Sequence, residues 1–541
     1  MRRLHTLLPV IAALGSALLI AAAPAPYVPQ PAYCYSTTIQ GPVTVSPLCP
    51  ILPGDIGADP ALGARSFGYK GIIGRVVTSP AGDIETPFDN LSWQTFVALN
   101  WKAGRQNRPA AEGLAGDGAR VWQGWNRVSQ VFGNSPVQAN CHVLLGEQVF
   151  SIASNGNGTP AIRNEEYIQA ATGDPAIDVD GNWTLYERRL NGVEIAYLHA
   201  PGGHKAWDLT TAKGQGLFDK VAGNVIDFPA KGTPPGAPGG AMEIKAAWRI
   251  LDPAKHAANA KRFFITRAVV AVAPDLVFNG AKPPAPICAH VELGLVAMHI
   301  IQKNPPTKNA LKPEWFWSTF EQVDNAPLAK AACDVADPGA CGTPNQLQCP
   351  AAIPLGAPAY SYYNAAHRDV PTNQPPALLL GGKAFLWNPV PPYALGFLTR
   401  AKDGTRVGTQ ISRCWQIYKL TQQLNTQWQD KLRAIGSVFA NYMLVGTQWG
   451  GALESATPPA PSIGPTDAVP NYLSNTTLET YLQTYNQPNG AGVGSCVSCH
   501  SGANLSTNQA VLSNFSFLPG LVNPLLQTRR APLPPDAAPP K

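Results

Sequence analysis

Charged side chains are scarce in this 541-residue chain, because Asp, Glu, Lys and Arg together make up only 14% of it. The formal net charge is +6, but no run of basic residues stands out. Proteins that bind nucleic acid usually gather Lys and Arg into a patch or a tail. A nucleic-acid partner is therefore not expected.

Several sequence motifs that are typical of enzymes are absent. The chain contains no G-x-S-x-G, no Walker A loop and no H-E-x-x-H. Gly490, Gly492 and Gly494 alternate, but they lack the strand–helix context of a dinucleotide site. A zinc site of four cysteines is not expected either, because only one C-x-x-C pair occurs.

One short motif near the C-terminus is present and specific. Cys496, Cys499 and His500 form the sequence C-x-x-C-H, the attachment signature of c-type haem. Two thiols at this spacing can each form a thioether to a vinyl group, and the histidine can bind the iron. With ten Cys and nine His in the chain, a chance match has odds of roughly 3 in 1,000. The motif predicts one covalent haem c.

A thioredoxin-like pair is the competing interpretation of C-x-x-C. It requires a βαβ setting, with the first cysteine at the start of a helix. Here the motif follows a glycine-rich stretch with no preceding strand signal, and only 41 residues follow His500. The haem interpretation is favoured.

The sixth iron ligand has no obvious donor, since neither Met nor His follows His500. Met443 is predicted to lie on a long helix, where a Met is usually ordinary core. His299 lies in an apolar run, where most histidines are also structural. His199 and His204 flank a Pro-Gly-Gly loop that could present either ring. Met443, His299 and His204 are the candidates, and an open or water-filled position remains an alternative.

The N-terminus predicts export. Arg2 and Arg3 precede an apolar stretch at 7–20, and three alanines at 21–23 offer a cleavage site. We predict a signal peptide at 1–23, a periplasmic location and no membrane span after cleavage. An uncleaved anchor is the alternative, because the apolar stretch approaches spanning length.

The eight cysteines outside the haem motif are an even number in a chain predicted to be exported, which favours disulfides. Cys34 and Cys49 are close enough in sequence to form a local loop. Two of Cys333, Cys341 and Cys349 are also expected to pair, although spacing does not determine the connectivity.

The pattern along the chain predicts an α+β protein. We expect a Pro- and Gly-rich arm at 24–85, a mainly antiparallel β-rich central domain with N-terminal helices at 86–405, and a helical haem-binding region at 406–527. A Pro-rich tail at 528–541 is predicted to be disordered.

Individual elements follow from periodicity and turn signals. Helices are predicted at 92–101, 121–132, 411–444 and, from a capping box at Thr476 and Glu479, at 476–486. Asn191-Gly192 between two short apolar runs predicts a hairpin of 183–190 with 193–198. Further strands are predicted at 242–251, 262–272, 291–302 and 314–323.

The segment 475–504, NTTLETYLQTYNQPNGAGVGSCVSCHSGAN, resembles the C-terminal part of large monohaem cytochrome c proteins of Gram-negative bacteria. Segments 93–101, 243–248, 294–303 and 315–325 also resemble that family. The resemblance implies haem binding and periplasmic export. It assigns roles only to Cys496, Cys499 and His500.

The sequence therefore predicts a c-type cytochrome that transfers electrons to a periplasmic partner protein. A haem-dependent redox enzyme of the peroxidase or oxidase type is the first alternative, because the chain far exceeds a minimal electron carrier. A haem-based sensor or binding module is the second. Function is decided by the site and not by the fold, so the three stay open at this stage.

Overall fold

The structure is a computed structural model that describes the following residues: 48–52, 85–110, 113–132, 141–154, 175–230, 239–278, 285–303, 315–334, 359–376, 385–450, 468–469, 473–483 and 494–522. The predicted signal peptide, nearly all of the arm and the tail lie outside these residues.

The helices in the described part of the chain are α1 Glu85–Leu99, α2 Val128–Val131, α3 Gly192–His199, α4 Ala212–Asp219, α5 His256–Asn259, α6 Lys419–Ala434 and α7 Cys496–His500. Within these ranges, no helix has the length and apolar character needed to cross a membrane.

The strands are β1 Asn126–Arg127, β2 Glu147–Ile152, β3 Leu185–Leu190, β4 Met242–Leu251, β5 Ile265–Val272, β6 Ile287–Lys303, β7 Trp315–Gln322, β8 Leu328–Asp334, β9 Thr399–Arg400, β10 Arg406–Val407, β11 Arg413–Gln416, β12 Tyr442–Gly450 and β13 Ala468–Val469. The four long strands β4 to β7 confirm the predicted ones to within a few residues.

A nine-stranded sheet forms the centre of the described structure. Seven of its strands follow the order β1-β3-β4-β6-β7-β12-β13, and the other two, β5 and β2, branch from β6, with β5 paired to β6 and β2 paired to β5. Its ladders are antiparallel except for β2, which pairs in parallel with β5. Strand β6 is 17 residues long and pairs with β4 along one edge. Its other edge pairs first with β5 and then with β7. The described residues thus form an α+β fold around a large, mainly antiparallel sheet.

Helices α1 and α6 cover one face of this sheet and form the main core. On α1, Trp93, Phe96 and Val97 follow the three- and four-residue spacing of a buried helix face. On α6, Leu424 and Trp428 do the same, and the Trp93 and Trp428 rings stack with centroids 5.8 Å apart. The helix predicted around 92–101 is confirmed.

The opposite face of the sheet is more polar. Because side chains alternate across a strand, Glu243 and Lys245 of β4 share this face with His299 and Ile301 of β6 and with Trp317 of β7. The C-terminal segment packs here through a second apolar cluster, which includes Ile301, Trp317, Val497, Leu505 and Leu518. We call this side of the sheet the second face.

The predicted hairpin around Asn191-Gly192 is wrong in its second half. Strand β3 is present, but the residues after Asn191 form helix α3. The Asn191 side chain accepts a hydrogen bond from the Glu194 amide at 3.0 Å, so it caps the helix. Asn before Gly suits both a hairpin turn and a helix N-cap, and the tertiary contacts decide between them.

The long helix predicted at 411–444 is also wrong as a single element. The segment contains strand β11, helix α6 and the start of strand β12. Gly436, with φ of +69°, follows α6 in the left-handed conformation that commonly ends helices. The described part of 406–527 is therefore less helical than predicted, and β12 pairs with β7 in the central sheet.

Two further helix predictions need correction. The segment 121–132 splits into a 3-10 turn at Val121–Gly124, strand β1 and the one-turn helix α2. After Thr476 the chain makes turns and a short 3-10 helix at Thr480–Leu482. Asn475, one position before the predicted cap, instead stabilises the preceding turn, because its side chain accepts from the amides of Thr477 and Leu478.

Disulfide bonding is present, although the one pair described in full was not predicted. Cys141 and Cys288 are joined, with Cα atoms 5.6 Å apart. Cys49 and Cys414 are also disulfide-bonded, and their partners lie outside the residues whose side chains are described. The predicted Cys34–Cys49 pair and the pair among Cys333, Cys341 and Cys349 stay predictions for the same reason.

Candidate haem site

The C-x-x-C-H motif forms the single-turn helix α7, which lies on the second face of the sheet. Gln448 of β12 holds its start, because the Gln448 side-chain oxygen accepts from the Val497 amide at 2.9 Å and from the Ser495 hydroxyl at 3.3 Å. The Leu473 amide donates to the Gly494 carbonyl at 2.6 Å. The Val497 side chain is fully buried. These contacts fix the position of α7 on the sheet.

The two cysteines of the motif are free thiols. By contrast, Cys49, Cys141, Cys288 and Cys414 are all disulfide-bonded. The two motif cysteines lie one helical turn apart, as a pair of thioethers requires. Solvent reaches the Cys499 thiol, yet desolvation, helped by the charge of Glu479, raises its pKa to about 11.

One ring nitrogen of His500 is held by a hydrogen bond, and the other is available to bind a metal. Its Nδ1 lies 2.6 Å from the Phe515 carbonyl oxygen. Since a carbonyl only accepts, Nδ1 carries the proton and Nε2 of the neutral ring keeps its lone pair. Burial lowers the pKa of His500 to about 4, which favours this neutral form. Trp317 and Phe517 flank the ring, with centroids 5.7 and 5.0 Å away.

A strained turn presents the Phe515 carbonyl to His500. Asn514 and Phe515 have φ of +51° and +67°, in the left-handed region that a bulky residue rarely adopts. The Asn514 side-chain oxygen accepts from Lys303 Nζ at 2.9 Å and from Trp315 Nε1 at 3.2 Å. The sheet therefore holds the turn in a conformation that is typical of functional sites.

A row of polar side chains crosses the second face beside the motif. Lys245, His299 and Thr319 are neighbours in register on β4, β6 and β7. His299 Nε2 lies 2.8 Å from Glu479 Oε1. Burial alone would raise the pKa of Glu479, but the positive charge of His299 holds it below its usual value. Glu479, Lys245 and His299 also act electrostatically on His500.

Residues 473–483 form a loop over the sheet, here called the 473–483 loop, which carries Glu479. Asn475 Nδ2 donates to Thr319 Oγ1 at 2.9 Å, and its backbone amide donates to Glu479 Oε2 at 3.0 Å. The Thr476 amide and hydroxyl both donate to the Glu321 carboxylate at 2.6 Å. These bonds fix Glu479 against His299.

The three candidates for a sixth ligand occupy different places. Met443 is half-buried on β12 opposite Glu321. His204 is exposed, and its ring packs against Trp207 with centroids 4.0 Å apart. His299 is 6% exposed, acts electrostatically on His500 and has a buried Nδ1 without a hydrogen-bond partner among the described residues.

Sequence reasoning missed several residues around the motif. The residues in question lie near the C-x-x-C-H motif only because distant strands pair and a turn folds back, and they are Trp317, Lys245, Gln448 and, through its carbonyl, Phe515. Glu479 carried a signal, since it was recognised as part of a capping box. Glu479 Oε2 accepts a hydrogen bond from the Asn475 amide, as a capping box would suggest. The contact of Glu479 Oε1 with His299 could not be predicted from sequence spacing.

The residues present fit a c-type haem. Two free thiols lie one helical turn apart, the Cys499 side chain is exposed, and His500 Nε2 keeps the lone pair that can bind a metal. No family model matches the chain, and no curated protein or solved structure is significantly similar to it. The resemblance to large monohaem cytochromes c therefore rests on the sequence segments alone.

Proposed function

We propose that this chain is a periplasmic c-type cytochrome that holds one covalent haem and transfers electrons to or from a partner protein. The bond from His500 Nδ1 to the Phe515 carbonyl is the observation that carries the proposal. Proteins fix a metal-binding histidine in this way, because the bond selects the tautomer and orients the ring. The C-x-x-C-H motif supplies the two thiols.

Each residue of the site has a distinct part in this proposal. Cys496 and Cys499 form the thioethers, and His500 is the proximal ligand. Trp317 and Phe517 pack beside the His500 ring and help to hold its orientation. When bound, haem c supplies a one-electron couple between Fe(III) and Fe(II), with a potential tuned by ligands, burial and nearby charge.

His299 is the sixth ligand that the contacts favour. Its Nε2 donates to Glu479, so Nδ1 is the ring nitrogen left to bind a metal, which it can do only without a proton. That nitrogen is buried and has no hydrogen-bond partner among the described residues, and a buried polar atom without a partner is costly. A carboxylate behind the ring is the usual support of a metal-binding histidine. Two imidazole ligands favour electron transfer over peroxide chemistry or sensing.

Export is part of the proposal. The Cys141–Cys288 disulfide supports an oxidising compartment, and c-type haem is attached outside the cytoplasm. The partner is proposed to be a periplasmic redox protein.

The test of the function is the absorption spectrum of the protein, made in a bacterial host that matures c-type cytochromes. We expect a pyridine haemochrome with the position typical of two thioethers, and one haem per chain. A purified, folded chain without covalent haem would overturn the proposal.

Replacing His299 by Ala should open the iron to carbon monoxide. The reduced wild type is expected to be low-spin and to bind carbon monoxide slowly, because His299 must leave first. Glu479→Gln keeps the ligand but weakens its support, so we expect carbon monoxide to bind roughly 10–100-fold faster than in the wild type. Stopped-flow mixing of the reduced proteins measures both effects.

His204→Ala and Met443→Leu are matched controls, since each removes one of the other two candidates. Rapid carbon monoxide binding in one of these variants alone would transfer the assignment from His299 to that residue. Rapid binding in the wild type would instead favour the enzyme or sensor alternatives, because it would show an open or weakly held sixth position.

A further inference from the structure

A pair of buried carboxyl groups lies on the second face, away from the polar row at His299. Glu194 of α3 is 0% exposed and Glu243 of β4 is 9% exposed. Each carboxyl group acts on the pKa of the other, so the two interact directly. Both Glu194 oxygens and Glu243 Oε1 have no hydrogen-bond partner among the described residues. Charged residues are almost never buried in this way unless they are paired or neutralised.

Asn191 brings the two carboxyl groups together. Its side-chain oxygen accepts from the Glu194 amide at 3.0 Å and from the Met242 amide at 3.2 Å. The first turn of α3 and the start of β4 are thereby joined. Asn191 Nδ2 also donates to the Gly240 carbonyl at 2.7 Å. The contact between Glu194 and Glu243 is therefore built into the fold.

Two carboxylates cannot share a buried contact while both are ionised, so at least one proton lies between them. Burial raises the pKa of Glu194 well above its usual value, and the neighbouring Glu243 raises it further. Burial also raises the pKa of Glu243, although its interactions with Ser516 and Glu194 and the charge of Arg188 oppose this. The pair therefore holds a proton at pH values where ordinary carboxyl groups are ionised.

A short path connects this pair to the haem motif. Ser516 hydrogen-bonds to the Glu243 side chain. The preceding residue, Phe515, accepts the bond from His500 Nδ1. Lys245, two residues beyond Glu243 on the same face of β4, acts electrostatically on both Cys499 and His500. The carboxyl pair and the proximal histidine thus share one packed layer.

Arg188 is the charged group that acts directly on the pair, and it lowers the pKa of Glu243. Other positive groups nearby are expected to lower the proton affinity of the pair, and negative groups to raise it. The titratable and charged groups that face this region are Arg188 of β3, Lys245 of β4, His299 and Lys303 of β6, Asp227 bonded to Lys303, Glu479 of the 473–483 loop, and Cys496, Cys499 and His500 of α7.

We propose that Glu194 and Glu243 form a proton-binding site whose occupancy is coupled to the oxidation state of the haem. This inference rests on the proposed function. With haem bound, reduction would add one electron from a redox partner protein, and a hydronium ion of the solvent would give its proton to a carboxylate oxygen of the pair and leave as water. Oxidation would return the electron to the partner and the proton to a water molecule, so the added negative charge would be partly balanced by the proton.

The test is the midpoint potential of the full haem-loaded protein as a function of pH, measured with an electrode and soluble mediators. The wild-type potential should fall as pH rises, in a range above that of ordinary carboxyl groups. A tenfold difference in proton affinity between the two oxidation states corresponds to about 59 mV. Glu194→Gln and Glu243→Gln each keep a polar side chain of the same size but remove one of the two ionisable groups and the repulsion between them, so each should weaken the slope.

Glu292→Gln is the matched control, since it removes the same charge from β6. Glu292 lies nine residues from Ile301, which pairs with Glu243, so the control is roughly 30 Å away along the strand. Its slope should equal that of the wild type. Unchanged slopes in both pair variants would overturn the inference while leaving the cytochrome assignment intact. Absence of covalent haem in the wild type would overturn the proposed function instead.

A second measurement needs no haem. Because the folded-state pKa of Glu194 is raised, the wild type should lose stability as pH rises from the usual carboxyl pKa through the raised one. Glu194→Gln should lessen this loss, as followed by denaturant unfolding at several pH values. Identical pH dependence of unfolding in the variant and the wild type would contradict a shared proton.

Discussion

Replacing both Cys496 and Cys499 by Ser should abolish covalent haem attachment. Neither thioether can form without a thiol, and His500 alone would hold a haem that denaturation releases. The measurement is haem staining of the protein after denaturing electrophoresis, together with the pyridine haemochrome spectrum. We expect no haem stain in the double variant. Either single variant should keep one thioether and therefore stain more weakly than the wild type.

The control for this experiment is a chain that loses two other cysteines. Cys141→Ser with Cys288→Ser removes the described disulfide, which typically contributes about 2–5 kcal/mol to stability, but leaves the haem motif intact. It should still stain for haem. Covalent haem in the Cys496/Cys499 double variant would mean that other cysteines hold it, and the assignment of the motif would be wrong.

Glu321→Ala should destabilise the protein by about 3–5 kcal/mol, because it leaves a buried cation without its partner. Glu321 is fully buried and binds Arg413 at 2.5 Å, and Arg413 is buried as well. The same carboxylate accepts both hydrogen bonds from Thr476. Denaturant unfolding of the wild type and the variant measures the loss.

The exposed ion pair Asp430–Arg433 provides the matched control for the buried one. Both side chains are more than 60% exposed, so Asp430→Ala should cost about 0–1 kcal/mol. If the two variants lost equal stability, Glu321 would not act through its buried partner. A haem-loaded Glu321→Ala variant should also bind carbon monoxide faster than the wild type, since Thr476 helps to position Glu479.

The strands were the part of the fold most accessible to sequence reasoning. Strands β4, β6 and β7 are buried on both faces and contain runs of β-branched and aromatic residues. Such runs favour strands over helices, so they could be predicted from the sequence. The segment 411–444 misled for a related reason. Its apolar residues advance at helical steps through α6, and the same steps continue by chance into β12. The left-handed Gly436 that separates the two elements carries only a weak signal in the sequence.

The hairpin at Asn191 shows a different limit. Local propensity allowed both a turn and a helix start after β3. Asn191 caps α3 because its side chain can also accept from Met242 on β4. That second bond joins residues 51 positions apart, so no local pattern could reveal it. The buried pair of Glu194 and Glu243 depends on the same contact.

The C-x-x-C-H motif could be recognised from the sequence alone, since Cys496, Cys499 and His500 lie within five consecutive residues. The sequence also indicated the α+β class and the long strands, because periodicity is a property of neighbouring residues. The surroundings of the motif depend on the folded structure. The Phe515 carbonyl and Trp317 contact His500, and His299 and Glu479 act on it electrostatically. These contacts arise from strand register, a strained turn and burial, which depend on packing between segments far apart in sequence.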